Sequence, residues 1–402
     1  MLLGSISAQA YENDNETNQG EQFVTTYDKS VWYSNEELTY PVTEDDEQWM
    51  EYQTHEEMIA ACNMPDELVS EVETEKLVEL MLEYPLLGDL LLYDNTGDGL
   101  EILSHESNIL AELLKREDGG ERLLDVYCDF EIKETSIPEE ILYDIISGEV
   151  SLEECIEDEQ IENKIEQDKE NLVQSIFLEA VLVREEIVEK LTEEEINQLA
   201  DTAEDKVSAK EMSSIYSAYT YSFYEMAQQL ETIENFGQIE NETVNVESSK
   251  ATRDTTTTVK TPNGSSVEVI QRTYSASESL SAYKYTVENY PNVEIVSNAT
   301  TNYNCHSYAW YSQSTSNVYW MENPGLYMTD GSYTKVGTTP TATGQKVCYT
   351  QYPLVNPYVH SGIVYSISGS TIKLKSKWGS GPLVIHNVSY SPYGGTPFYY
   401  KR

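Results

Sequence analysis

The sequence predicts a protein of two parts, an all-α helical region followed by an α+β domain with a small antiparallel sheet. Its 402 residues exceed what one ordinary hydrophobic core organises. Residues 1–254 carry 14 Lys and Arg against 65 Asp and Glu, a net charge of −51, whereas residues 255–402 carry 10 against 6, or +4, which together give −47. Near Thr255 the apolar pattern also changes from helical spacing to alternation. The boundary is therefore expected close to that residue.

The first 45 residues predict little stable structure. The opening stretch MLLGSISAQA is short and apolar and ends in small residues, which predicts that residues 1–10 are the remnant of a secretory signal peptide. Residues 11–45 are polar and are expected to be poorly ordered. This interpretation predicts that the protein is secreted or associated with the cell wall. No apolar run is long enough to predict a membrane span.

Residues 46–240 predict an acidic all-α domain. In NLVQSIFLEAVLVREEIVEKL the apolar residues step by three or four positions from Leu172 to Leu191, along one face of a helix. Thr192 and Glu195 then form a predicted capping box that opens the next helix. The abundant carboxylates are interpreted as the solvated faces of these helices. So negative a surface would be repelled by phosphates, so no nucleic-acid partner is expected.

One segment of this region resembles part of a calcium-binding loop. DNTGDGLEILSH, from Asp94 to His105, has Asp, Thr and Asp at the first, third and fifth positions of a calcium loop. Its twelfth position, which must supply a bidentate carboxylate, is His105. The segment is therefore expected to be an Asx-rich turn between helices, without calcium.

Residues 241–258 are polar and rich in threonine and predict a linker, and residues 259–402 form the second domain. Its first feature is a pair of alternating runs around Pro262-Asn263-Gly264, which predicts a β-hairpin. The five cysteines form no C-x-x-C pair, which argues against a zinc site. No metal and no cofactor are expected.

Cys305, in the run NCHSYAWY, is the candidate nucleophile. It precedes a predicted helix, where the helix dipole would lower the pKa of a thiol. A buried free thiol and a disulfide partner for Cys348 remain alternatives. Asn304 is a candidate oxyanion donor and, equally, a candidate helix N-cap.

His360 is the candidate base, because it opens the alternating strand HSGIVYSIS, whereas the ring of His306 should point about 100° away from Cys305 on a helix. The next strand places its three lysines on one, solvated, face. Pairing Ile367 with Thr371 across a three-residue loop, Ser368-Gly369-Ser370, puts Trp378 opposite His360 and Ser376 diagonal to it. Ser376 would then orient the imidazole and Trp378 would shield it from water.

These motifs resemble a known family. The run CHSYAW resembles the C-x-x-Y-A-W opening of the CHAP-type amidases (cysteine, histidine-dependent amidohydrolases/peptidases), and HSGIV followed by IKLKSKW resembles their H-V-A-x-V strand and the strand after it. CHAP-type domains belong to the wider papain-like group that includes the NlpC-type peptidoglycan peptidases. The order from NCHSYAWY to SKWG also resembles secreted Firmicutes proteins with an acidic helical region ahead of this domain.

The resemblance implies a papain-like domain with Cys305 as nucleophile and His360 as general base. The usual acidic third residue is missing, so Ser376 and His386, with Asn387 beside it, stay open as the third member. The implied function is cleavage of amide bonds in cell-wall peptides through a thioester. The alternative is a catalytically degenerate domain that binds wall peptide or glycan. The charge difference between the two parts also allows the acidic region to dock on the second domain.

Overall fold

The computed structural model describes residues 28–131, 137–210, 255–272, 275–351 and 357–402. The predicted signal remnant and most of the predicted linker lie outside these ranges, and the last four linker residues form the start of a strand. Within the described ranges, none of the helices combines the length and the apolar character that crossing a bilayer requires.

The part before residue 211 is helical. Three 3-10 helices span Lys29–Trp32, Trp49–Glu51 and Leu87–Leu92. The α-helices of this part are α1 (His55–Cys62), α2 (Asp66–Val69), α3 (Thr74–Leu82), α4 (Thr96–Glu106), α5 (Asn108–Leu113), α6 (Gly119–Asp129), α7 (Glu139–Ser147), α8 (Leu152–Glu157), α9 (Glu159–Leu182), α10 (Glu185–Val188) and α11 (Glu193–Lys210). Thr192 and Glu195 exchange both capping-box bonds ahead of α11, as the sequence predicts.

Residues 28–45 differ from the expectation of poor order. Besides the first 3-10 helix they form a two-stranded hairpin, β1 (Tyr33–Ser34) and β2 (Glu37–Leu38). Trp32 is fully buried, and Val42 is nearly so. Apolar burial at these few positions is enough to hold a segment that is otherwise polar, which composition alone does not show.

The second part is built on antiparallel strands. β3 (Thr255–Lys260) and β4 (Ser266–Gln271) pair around the predicted hairpin turn. The remaining strands are β5 (Glu294–Ser297), β6 (Thr334–Gly337), β7 (Lys346–Thr350), β8 (Tyr358–Ser368), β9 (Thr371–Lys377), β10 (Leu383–Asn387) and β11 (Thr396–Lys401), which form one antiparallel sheet in the order β5-β10-β9-β8-β7-β11-β6. Helix α12 (Ala276–Asn289), a π-helical turn (Ser307–Tyr311) and α13 (Gly325–Thr329) complete this part.

The two faces of the sheet are covered by different elements. One face, here called the core face, presents Tyr349, Leu374 and Trp378 to the largest hydrophobic cluster of the molecule. The opposite face presents Cys348 to a cluster that includes Trp310 of the π-helical turn. Side chains alternate along a strand, so neighbouring residues of β8 point to these two different environments.

The helical part and the sheet share one core. The largest cluster contains Trp49 and Leu91 from the first part together with Tyr290 and Trp378 from the second. Asp89 adds a polar connection between the two parts, because it accepts hydrogen bonds from the hydroxyls of Tyr285 and Tyr290 and pairs with His55 at 3.0 Å. The acidic region is therefore packed into the second part.

The β8–β9 hairpin follows the predicted register beside the candidate site and leaves it near the turn. Ile363 pairs with Lys375, as predicted, but Ser368 pairs with Thr371, so the loop has two residues and not three. The register shifts between Val364 and Ser366. An extra residue in one strand changes the register by one position, which no turn signal in the sequence shows.

Candidate active site

Cys305 lies at the start of the short helical segment that continues into the π-helical turn. Its side chain is 1% exposed, and all five cysteines are free, so the alternative of a Cys305–Cys348 disulfide is not formed. Burial raises the pKa of this thiol, and the backbone N–H of Ser361 in β8 opposes that rise only in part. The helical segment that carries Cys305 is joined to β8 by a hydrogen bond between His306 and Ser361.

The partner of the thiol is Asp94, from the helical part. Cys305 Sγ donates to Asp94 Oδ2 at 3.5 Å, and Asn304 Nδ2 donates to the same oxygen at 2.7 Å. Burial raises the pKa of Asp94 to about 7. The second oxygen, Oδ1, is buried and has no hydrogen-bond partner among the described residues. A carboxylate from the acidic region thus occupies the space above the candidate nucleophile.

The expectation of a lowered thiol pKa is wrong for this arrangement. Burial raises the pKa of Cys305 well above its usual range, and the adjacent Asp94 adds to the rise. The helical segment is too short for its dipole to outweigh the loss of hydration and a neighbouring carboxylate. In this arrangement Cys305 is a protonated thiol.

His360 lies at the beginning of β8 on the core face and is fully buried. Its ring stacks on Tyr393 with a centroid distance of 3.7 Å and an interplanar angle of 8°. Neither ring nitrogen has a hydrogen-bond partner in the described part of the chain. Burial lowers the pKa of His360 well below its usual range, and His386 and His306 add to this, so the ring is neutral near pH 7.

Ser376, Trp378 and His386, the other candidate site residues, lie together but do not bind His360. Ser376 Oγ is 2.8 Å from His386 Nε2 and accepts a bond from Trp378 Nε1 at 3.2 Å. His386 Nδ1 bonds the carbonyl of Asn387 at 2.8 Å. Neither Ser376 nor His386 therefore orients His360, because their polar atoms are engaged with each other. Stacking on Tyr393 holds the ring instead.

His306 ties the helical segment to β8. Its Nδ1 is 2.8 Å from Ser361 Oγ, and its Nε2 is 3.0 Å from the carbonyl oxygen of Tyr358. Trp310 Nε1 donates to the same serine oxygen at 2.8 Å, so Ser361 gives its own proton to His306. Burial lowers the pKa of His306 to about 4. Both nitrogens are occupied, so His306 positions Cys305 and is not a free base.

The same segment also brings three metal-ligand types together. A ring nitrogen of His306, Cys305 Sγ and a carboxylate oxygen of Asp94 lie within 4.8 Å of one another. These are ligand types that zinc accepts. Both nitrogens of His306 are already hydrogen-bonded, however, so a metal would have to displace one of these bonds.

Asn304 serves as a helix N-cap and also as a donor toward the site. Its Oδ1 accepts bonds from the backbone N–H groups of Ser307 and Met321, each at 3.0 Å. Its Nδ2 donates to Met321 O and to Asp94, both at 2.7 Å. The two roles predicted as alternatives are thus compatible, because the two ends of one amide point in different directions.

The lysine face of β9 also differs from the prediction. Lys373 is exposed, but Lys377 is fully buried. Lys377 Nζ donates to the carbonyl oxygens of Gly379 and Gly381. Burial lowers the pKa of this lysine to about 7, against the opposing effect of Asp94 and Cys305. A buried cation therefore lies in the electrostatic surroundings of the thiol.

Sequence reasoning did not identify Asp94 and Tyr393 as site residues. Asp94 was singled out, but as the first position of a rejected calcium loop, and its real partner is 211 residues away in the chain. Tyr393 lies in SPYGGTP, which reads as a loop. No local pattern signals a contact across such separations.

A cavity of about 430 Å³ lies away from Cys305, against α9 and the third 3-10 helix. Its walls include Glu44, Glu166, Lys169, Gln174 and Tyr285. Lys169 binds Glu166 and Glu288 at 2.8 Å each, so its charge is neutralised locally. The residues that line this cavity include no cysteine or histidine, so it is not the candidate active site.

Comparisons with models of protein families, with curated proteins and with solved structures gave no match for this chain.

Proposed function

We propose that this protein is a secreted cysteine-dependent amidase or peptidase with a papain-like domain, acting on peptides of the bacterial cell wall. The observation that carries the proposal is the hydrogen bond of 2.8 Å between His306 Nδ1 and Ser361 Oγ, the residues that follow Cys305 and His360 in the chain. This bond joins the two segments that carry the candidate nucleophile and the candidate base, which are 55 positions apart in the chain. The likeness of the surrounding motifs to CHAP-type amidases supports the substrate class.

The state of His360 also supports a catalytic role. A buried imidazole with two unpaired nitrogens costs about 1–3 kcal/mol for each polar group left unsatisfied. Such costs concentrate at functional sites, where a group must be free to exchange a proton. The ring therefore has a lone pair that is free to accept a proton, and a general base also needs a pKa near the operating pH, so entry of water or substrate would have to raise the pKa of His360.

The chemistry assigned to the residues is acyl transfer. His360 takes the proton of Cys305, and the sulfur attacks the amide carbonyl while Asn304 Nδ2 donates to the oxygen that becomes negative. His360 returns the proton to the departing amine, which leaves a thioester on Cys305. A water molecule, deprotonated by His360, then attacks the thioester, releasing a carboxylate product and the thiol.

Site-selective alkylation tests the proposal. The rate of Cys305 modification by iodoacetamide is followed by peptide mass spectrometry, together with release of free amines from cell-wall peptides. His360→Ala should lower both rates by about 10²–10⁴-fold, the usual contribution of a general base. His105→Ala, at an exposed histidine of α4, is the matched control and should change neither. Equal rates for His360→Ala and wild type, both as single changes and when Asp94 is also replaced by Ala, would refute the proposal.

The burial of Cys305 favours a second candidate, a domain that keeps the fold and only binds wall peptide or glycan. The thiol is 1% exposed and its proton is shared with Asp94 and not with His360. In that case purified peptidoglycan fragments would bind in calorimetry, no amine would be released, and Cys305→Ala would leave the affinity unchanged.

A further inference from the structure

Three consecutive residues of the helical part lead up to the carboxylate that contacts Cys305. Leu92 ends the third 3-10 helix, and Tyr93 and Asp94 connect it toward α4. We call Leu92–Asp94 the covering segment. Its Asp94 carboxylate provides the hydrogen-bond acceptor for the thiol.

Specific polar contacts hold the covering segment in place. The hydroxyl of Tyr393 donates to Leu92 O at 2.6 Å, and the hydroxyl of Tyr93 donates to Pro392 O at 2.6 Å. On the other side, Gly379 lies so close that a Cβ there would be 2.3 Å from Leu92 O. Gly379 also has φ +42°, a conformation that glycine adopts readily. Glycine at position 379 therefore allows the backbone to pack closely against the covering segment.

The carboxylate of Asp94 occupies the position that a substrate or product oxygen would need. Oδ2 is 2.7 Å from Asn304 Nδ2, the proposed oxyanion donor, and 3.5 Å from the Cys305 sulfur. Hydrolysis of an amide yields a carboxylate, so the Asp94 side chain has the chemistry of a bound product. While it is there, no substrate carbonyl can approach the sulfur.

Asp94 also competes with His360 for the proton of the thiol. Cys305 donates to the carboxylate, and the imidazole nitrogens are left without partners among the described residues. A purely stabilising contact is expected to satisfy both oxygens of a buried carboxylate, yet Oδ1 of Asp94 has no partner in the described ranges. The contact is therefore costly to the fold, which is typical of a functional contact.

We propose that the covering segment is an autoinhibitory element that keeps Cys305 latent by placing the Asp94 carboxylate in the substrate position. This inference rests on the proposed function, since it concerns the regulation of the same nucleophile. Displacement of Leu92–Asp94 would free Asn304 Nδ2 and the thiol together and would remove the acceptor that competes with His360 for the thiol proton. An event that loosens the helical part from the sheet would then activate the enzyme.

The test uses the full-length protein and iodoacetamide as the probe. The variants are Asp94→Ala, which empties the site, and Asp94→Asn, which keeps its shape and removes its charge. Asp98→Ala, in the first turn of α4, is the matched control because Asp98 is not a partner of Cys305 or Asn304. The alkylation rate of Cys305 is divided by that of Cys348, a buried thiol of β7, in the same sample. Unfolding would raise the alkylation rates of both buried thiols together, and this shared increase cancels in the ratio.

Asp94→Ala should raise this ratio about 10- to 100-fold, the range for losing a hydrogen bond to a charged group, and Asp94→Asn should raise it less. Asp98→Ala should match wild type. An unchanged ratio in both Asp94 variants would overturn the inference.

His360→Ala in the Asp94→Ala background separates the two proposals. If the gain disappears, the segment covers a working Cys305–His360 pair, and both proposals stand. If the gain persists in full, the covering role stands and the base role of His360 fails. If His360→Ala lowers the Cys305 alkylation rate of the wild type, and Asp94→Ala gives no gain in either background, the proposed function stands and the autoinhibition fails.

Discussion

Asp94→Asn should change how the stability of this protein depends on pH. In the folded protein the pKa of Asp94 is raised from 3.8 to about 7 by burial, and in the unfolded chain it returns to its ordinary value. Between these values the native state holds a proton that the unfolded state has lost. Stability therefore falls as pH rises through this window, and the loss is complete above pH 7.

The size of the effect follows from the shift. About three pKa units at 1.36 kcal/mol each give roughly 4 kcal/mol, of which about 3 kcal/mol falls between pH 5 and pH 8. Lys377 adds to the difference between variant and wild type. Asp94 favours the ammonium form of Lys377, so removing the carboxylate lowers the pKa of this lysine further. The variant then loses the buried charge at a lower pH than wild type does, which also raises its relative stability as pH rises. The asparagine variant should thus gain about 3 kcal/mol relative to wild type from pH 5 to pH 8.

Urea unfolding followed by circular dichroism at pH 5, 6, 7 and 8 measures this difference. Asp125→Asn is the matched control, since Asp125 is an exposed aspartate of α6 whose side chain is 57% accessible. The free energy of unfolding of Asp125→Asn should depend on pH in the same way as that of wild type. Parallel curves for Asp94→Asn and wild type would mean that the carboxylate is hydrated, and the buried contact with Cys305 would be refuted.

Three further substitutions test the surroundings of the site. Ser361→Ala should cost about 3 kcal/mol in urea unfolding, because the buried His306 loses a partner at 2.8 Å; a cost under about 0.5 kcal/mol would mean that this bond is not formed. Asp89→Ala should cost about 3–5 kcal/mol, since it removes the partner of a buried histidine and of two tyrosine hydroxyls, and separate unfolding transitions for the two parts would contradict the shared core. Gly379→Ala should displace Leu92 and raise Cys305 alkylation, and a wild-type rate would show that the close approach is not needed.

Local signals in the sequence predicted the elements well. The capping box at Thr192 and Glu195 and the hairpin at Pro262-Asn263-Gly264 form where the sequence places them. Each depends on residues only a few positions apart. The β8–β9 register beside the site was predicted for the same reason, since alternation and burial fix it locally.

Contacts between distant segments could not be predicted in this way. Lys377 was assigned to a solvated face by alternation, but neighbouring segments cover that face and bury it. Ser376 was placed beside His360 by register, yet its single hydroxyl is engaged by His386 and Trp378. Periodicity gives the direction in which a side chain points, whereas its partner depends on what the rest of the chain packs against that face.

The charge difference between the two parts suggested separable units, and the core argues against that division. Trp49 Nε1 donates to Asn289 O at 2.9 Å, and the rings of Tyr290 and Trp378 meet edge to face at 4.9 Å inside one cluster shared with the helical part. Removing residues 28–210 would expose this cluster and delete Asp94 together with the segment that carries it. Such a truncation would remove the covering segment and unfold the protein at the same time. Autoinhibition of Cys305 therefore has to be tested by single substitutions in the full chain, where Asp94 can be changed while the shared hydrophobic core remains intact.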